Sequence, residues 1–340
     1  MPFIEEILNY GTLSIAGLEK NTGKTESLNY ILNRLTINSI RVGVTSTGVD
    51  GERIDQVTRT SKPEIFLKEG VVFTTSEKHY RERKILSELL DISDETTSLG
   101  RLVTAKALSG GKVMLSGPVS TASLKRWIIS LKKRYNVDLC IIDGALSRLS
   151  LASPAVSEAM ILATGASLSL SIREIVNKTA YAAELIGLPL SQITGRETLL
   201  DYEQGIWTIG RDGEVCGPIF ESAFTMEKRS IFRIEDGGAI YLTGALTERF
   251  LKMISTDTNL TEKELIIKDF TRIFVTPALL RNYLKKGGKI TVLQKTKLIA
   301  LTVNPISPNG YTLDSNRLID ELYGRVNIPV YDIKKNGYKI

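Results

Sequence analysis

Short apolar runs alternate with amphipathic stretches through the first half of the chain. Thr12 to Ala16 (TLSIA) is a buried-strand pattern closed by Gly17, and after Lys24 the apolar residues Leu28, Ile31, Leu32 and Leu35 fall at helical spacing. Ile40 to Thr45 (IRVGVT) predicts a second strand, followed by the polar loop STGVDGERID at 46–55. Pro63 to Thr75 holds two short β-like runs about Glu69-Gly70, and a charged stretch from Tyr80 to Leu90 reads as helical; both look peripheral to a sheet. Val113 to Ser116 is a further strand candidate. Ser120 can then cap a helix whose apolar positions Leu124, Trp127, Ile128 and Leu131 share one face. Val137 to Ile142 and Met160 to Thr164 are continuous apolar runs, and Ser171 to Leu188 predicts the next helix.

Continuous apolar strands interleaved with amphipathic helices indicate an α/β protein with a mostly parallel sheet wound by helices. Residues 1–200 are therefore expected to form one α/β domain. From Gly205 short strands such as WTIG, EVCG, SIFRI and AIYLTG, parted by Gly and Asp turns, predict a small β-rich segment over 201–260. Residues 261–340 read as a C-terminal α/β layer, with the helix ALLRNYLKK, the strands ITVL and IALTV and the helix DSNRLIDELYG. Whether that layer extends the first sheet or stands alone is open at this point.

Composition narrows the chemistry. The 340 residues are 42% hydrophobic and 24% charged, an ordinary globular balance that excludes disorder for most of the chain. The net charge of +6 is mild and its two signs are interspersed, so no nucleic-acid surface is expected. Cys140 and Cys216 alone cannot build a disulfide framework or a Cys-rich zinc site, and fit a reducing, cytoplasmic setting. The single histidine, His79, excludes multi-His metal sites and leaves a Ser-His-Asp hydrolase dependent on that one residue. The start MPFIEEILNYG lacks the positive charge of a signal peptide, and no apolar run has the length of a membrane span.

The strongest motif is GLEKNTGKT, Gly17 to Thr25, between the first strand and the first long helix. A loop in that position turns successive backbone N–H groups toward one point at a helix N-terminus, which suits a polyphosphate. Lys24 is then expected to neutralise β- and γ-phosphate oxygens and the Thr25 hydroxyl to ligate Mg²⁺. Gly17, Asn21, Thr22, Gly23, Lys24, Thr25 and Glu26 are the candidate nucleotide contacts. The first glycine of G-x-x-x-x-G-K-[ST] belongs at position 18, where this chain has leucine, so Gly17 stands one place early.

Two acidic stations follow. VDLCIID ends an apolar strand in Asp143, the form of a Walker-B carboxylate that holds Mg²⁺ through water, while an Asp capping the turn before Gly144 is the plainer alternative. In the loop after the second strand, Asp50 is the first candidate to hold the metal or orient an attacking water, with Glu52 and Asp55 close behind. Lys24, Asp50 and Asp143 form the expected catalytic set, and Thr25, Asp50 and Asp143 the metal set. SGP at Ser116 to Pro118 and the TGAS of Thr164 to Ser167 close two further strands on the same rim. The fragment TVNP at Thr302 to Pro305 lacks the Asp of a guanine motif, so ATP is favoured and GTP stays open.

The longer spacing of the loop resembles dethiobiotin synthetase and its relatives in the signal-recognition and MinD-like (SIMIBI) class of P-loop proteins. The MinD-like signature lysine falls at Glu19, with Lys20 its neighbour, so that lysine does not carry over. The segments KNTGKTESLNYIL, VTSTGVDGE and IIDGALSR with SPAVSEAMILATGAS resemble the P-loop subunit associated with lysine 5,6-aminomutase and ornithine aminomutase, the aminomutase reactivase family, over residues 10 to 190. The resemblance implies an ATP- and Mg²⁺-dependent reactivase or chaperone for a cobalamin- and pyridoxal-phosphate-dependent mutase. Its partner is then a protein, an aminomutase or an associated reactivase subunit, and a homodimer is compatible with it. A small-molecule ligase or kinase and a non-hydrolysing nucleotide-binding scaffold are the alternatives.

Overall fold

A computed structural model describes residues 3–35, 40–47, 64–145, 153–210, 212–221, 238–257 and 261–335. The chain divides into two compact units, one made of residues 1–180 with 296–340 and the other of residues 181–295.

The first unit is a mixed α/β structure around a nine-stranded sheet. Its strands are β1 (Thr12–Gly17), β2 (Val42–Ser46), β4 (Val72–Ser76), β5 (Ser87–Thr97), β6 (Gly100–Ala107), β8 (Leu139–Ala145), β9 (Ala159–Gly165), β17 (Lys297–Asn304) and β18 (Val330–Asp332). They lie in the order β18-β17-β9-β1-β8-β2-β4-β6-β5. Every neighbouring pair from β18 to β4 is parallel, and β6 and β5 add an antiparallel edge. A separate antiparallel pair, β3 (Ile65–Leu67) and β7 (Gly111–Val113), lies outside that sheet.

Parallel strands covered on both faces have no polar side, which is why β1 and β9 are buried along their whole length. On one face α1 (Phe3–Ile7) and α2 (Lys24–Leu35) bury Phe3, Ile7, Leu28, Ile31, Leu32 and Leu35 against Leu13, Ile15, Ile141 and Ile161. On another, α4 (Thr121–Tyr135) packs Leu124, Trp127, Ile128 and Leu131 on Cys140 and Ile142. Ser120 caps α4 as its sequence predicts, its hydroxyl accepting the Ser123 N–H at 3.1 Å, and Asn136 closes the helix in the left-handed region at φ 50°. The expected helix after Ser171 is α5 (Ile172–Ile186).

Three expectations change. The stretch Tyr80 to Leu90 is helical only at its start, as α3 (Glu77–Arg81), and from Ser87 it becomes the edge strand β5. Its charged residues suit an exposed edge, and the ladder to β6 overrides their helical propensity. The second β-like run of Pro63 to Thr75 is not peripheral, because Val72–Ser76 joins the main sheet beside β2. The strand expected at Val113 to Ser116 ends at Val113, and Met114 to Pro118 runs on without ladder pairing.

The second unit holds a five-stranded sheet of β10 (Ile206–Ile209), β11 (Val215–Phe220), β12 (Ala239–Leu242), β14 (Glu264–Ile267) and β16 (Lys289–Val292). The order is β11-β10-β12-β14-β16, antiparallel among the first three and parallel from β12 onward. The helices α6 (Glu248–Ile254) and Pro277–Lys285 bury Phe250, Leu251, Leu280 and Tyr283 in its core, and a short parallel pair joins β13 (Leu246–Thr247) to β15 (Ile273–Phe274). The sequence places boundaries after residues 200 and 260, whereas the compact units meet after residues 180 and 295. Strands of the β-rich segment and of residues 261–295 thus share one sheet, while IALTV returns to the first sheet as β17, followed there by β18.

No helix among the described residues is long and apolar enough to cross a membrane. Cys140 is fully buried on β8 and burial pushes its thiol up to about 12, whereas Cys216 is exposed. A thiol reagent at pH 8 is therefore expected to titrate one cysteine in the native protein and both in denaturant. Two fast native thiols would contradict the packing around β8.

Candidate nucleotide site

Seven parallel strands bring their C-terminal ends to one edge, so β1, β8, β2, β4, β9 and β17 deliver their closing residues to a common rim. The central strand β1 ends at Gly17, the chain crosses residues 18–23, and α2 begins at Lys24. The loop is held from several sides. Leu18 N–H donates to the Ala163 carbonyl at 3.1 Å, and the Thr22 hydroxyl donates to the Glu19 carbonyl at 2.9 Å. The amide of Asn304, the last residue of β17, donates to the Asn21 carbonyl at 3.4 Å. Below it the Thr302 and Ser27 hydroxyls pair at 2.9 Å, tying the first turn of α2 to β17.

Two glycines permit this fold-back. Gly23 has φ +92°, and a Cβ there would sit 2.9 Å from Cβ of Asn304. At Gly17 a Cβ would meet the Thr22 hydroxyl at 2.3 Å and Lys24 Cγ at 2.7 Å, so the Lys24 stem runs across the end of β1. The glycine placed one residue early in the sequence pattern is thus the one over which the loop closes. Asn21 takes the left-handed conformation at φ 61°, which asparagine tolerates better than most side chains.

Asp143 sits on β8 in register with Ile15 of β1 and Ser46 of β2. Its Oδ1 lies 4.0 Å from Lys24 Nζ, the two side chains being 14% and 20% exposed. That separation is too long for a hydrogen bond, and Oδ1 has no hydrogen-bond partner among the described residues. The backbone is fixed where the side chain is not, since Thr47 N–H donates to the Asp143 carbonyl at 2.8 Å. A buried carboxylate oxygen without a donor, beside a lysine and the positive end of a twelve-residue helix, is a favourable setting for a cation bridging to an anion.

Of the predicted residues, the structure brings together Gly17, Asn21, Thr22, Gly23, Lys24 and Asp143. Thr25 and Glu26 follow in the first turn of α2, half-buried. Asp50, Glu52 and Asp55 lie outside the described residues. Sequence reasoning misses Thr302 and Asn304 as supports of the loop; TVNP bears there only on base recognition, and nothing in the spacing ties it to residues 21 and 27. Among the described residues no group of three or more His, Cys, Asp or Glu side chains could hold a metal ion by itself. A Mg²⁺ bound here would take Thr25 and Asp143 together with phosphate oxygens and water.

Among known proteins no family model matches the chain, and neither a curated protein nor a solved structure matches it.

Proposed function

We propose that the chain is a Mg²⁺-dependent P-loop nucleoside triphosphatase that uses ATP. The observation that supports this most is the pairing of a glycine-closed loop at the start of α2 with Lys24 Nζ held 4.0 Å from the unpartnered Asp143 Oδ1. In this reading the backbone N–H groups of residues 21–25 receive the phosphates and Lys24 neutralises the charge that develops on transfer, while a Mg²⁺ held by Thr25 and Asp143 would supply further positive charge there. Asp143 would hold the metal's water shell, and the Thr25 hydroxyl would ligate it directly.

Hydrolysis coupled to a protein partner is the further part of the proposal. It rests on the resemblance to the aminomutase reactivase family and on the presence of a second compact unit, residues 181–295. The partner in that reading is a cobalamin- and pyridoxal-phosphate-dependent aminomutase or a reactivase subunit, and the setting is cytoplasmic. Slow ATP hydrolysis by the isolated protein, rising when the partner is added, is the expected result. Fast basal turnover that consumes a small carboxylate or hydroxyl acceptor in step with ATP would favour a ligase or kinase instead, and tight binding without turnover a scaffold.

Thr25→Val tests the metal assignment. It keeps the side-chain volume and removes the hydroxyl, so the Mg²⁺ concentration for half-maximal turnover is expected to rise about tenfold, with metal-free nucleotide binding little changed. An unaltered Mg²⁺ titration would remove Thr25 from the metal set.

A further inference from the structure

The chain's one histidine is buried beside the same rim. His79 is 3% exposed on α3, directly after β4, and its Nδ1 lies 3.0 Å from the Ser116 hydroxyl, itself 1% exposed. Ser116 Oγ also accepts the Ser76 N–H at 2.9 Å and lies 3.2 Å from Thr75 Oγ1. Thr75 Oγ1 accepts the Ser116 N–H at 3.2 Å and gives its own proton to the Met114 carbonyl at 2.8 Å.

Counting protons fixes the direction of the remaining contacts. The Thr75 proton is committed to a carbonyl, which cannot donate, so the Ser116–Thr75 contact must carry the Ser116 proton. The Ser116–His79 contact then has a proton only if Nδ1 bears it. Taken as hydrogen bonds, these contacts make Nδ1 the donor to Ser116, and each of the two hydroxyls then accepts twice and donates once.

Ser116 begins the buried turn Ser116-Gly117-Pro118. At Gly117 a Cβ would fall 2.2 Å from the Ser46 carbonyl oxygen and 2.3 Å from the Thr45 hydroxyl, so this turn lies directly on the end of β2. The residue that follows β2 is Thr47, whose N–H donates to the Asp143 carbonyl. We propose that His79 is a positioning residue for Asp143, acting through Ser116 and the Gly117–Ser46 contact to fix the end of β2 against β8. This rests on the nucleotide-site reading for its functional consequence, but not for the mechanical coupling itself.

The test uses the full chain as wild type, His79→Ala, His79→Asn and Ser116→Ala. Asparagine places an amide N–H close to where Nδ1–H stood. Without nucleotide, hydrogen exchange at the Thr47 amide is expected to quicken about tenfold or more in His79→Ala and Ser116→Ala, and to stay within about threefold of wild type in His79→Asn. With Mg²⁺ and ATP, turnover is expected to fall about tenfold in the two alanine variants while ATP affinity changes less than about threefold, again with rescue by asparagine. The double variant should be no worse than either single one.

Unchanged Thr47 exchange in Ser116→Ala, or an asparagine variant as impaired as the alanine one, would overturn the proposal. Should His79→Ala fail to fold, Ser116→Ala and His79→Asn decide it. A wild-type protein that neither binds nor hydrolyses ATP would defeat the nucleotide reading, and the exchange comparison would still decide the coupling.

Discussion

Lys24→Ala is expected to weaken ATP binding by about 100-fold or more and to abolish measurable turnover, with the melting temperature of the nucleotide-free protein within about 3 °C of wild type. Among the described residues the ammonium has one ion-pair neighbour, Asp143, at a distance of 4.0 Å, so removing it breaks little there. What it removes is the charge that, in the proposed site, would face the phosphates. The stem packs over Gly17, so Lys24→Met is the matching control that keeps the stem and loses only the charge. Calorimetry on both variants checks this. Unchanged ATP affinity in the methionine variant would end the phosphate-loop assignment.

For Asp143→Asn the two readouts should move apart. Turnover is expected to drop by about 100-fold or more, because in the proposed site the metal's water shell would lose its anionic anchor. Stability should be unchanged or rise, since Oδ1 is a buried oxygen with no donor among the described residues and its lysine neighbour stands at 4.0 Å, beyond hydrogen-bond reach. Thermal melts without nucleotide, set beside steady-state hydrolysis, separate the outcomes. A melting temperature that falls by several degrees with turnover intact would make Asp143 the turn-capping residue of the plainer reading.

The sequence made legible what depends on local pattern. β1, β8 and β9 announce themselves as continuous apolar runs because both faces of the central sheet are covered, and α2 and α4 as stripes at helical spacing. Lys24 and Asp143 were readable as a pair for the same reason, each standing at a strand or helix end that the pattern locates. β5 was hidden because an exposed edge strand rich in Glu and Asp has no apolar face to declare itself. The support of the loop by Asn304 was hidden differently. Residues 21 and 304 meet only because β17 lies two strands from β1, and strand order is fixed by packing that no local window contains. The His79 network has the same character, since Thr75 and Ser116 come together across 41 positions with no motif to mark either.

The return of the chain as β17 also sets an order of completion. The residues that form the loop emerge first during synthesis, yet the strand whose Thr302 and Asn304 brace it emerges only after the whole second unit has been made. A ribosome-bound chain stopped before residue 296 carries every residue of the GKT motif and lacks its outer brace. The braced form of the loop is thus acquired near the end of translation, and a nonsense codon anywhere in the second unit should yield a product that retains the motif but lacks the contacts of Thr302 and Asn304.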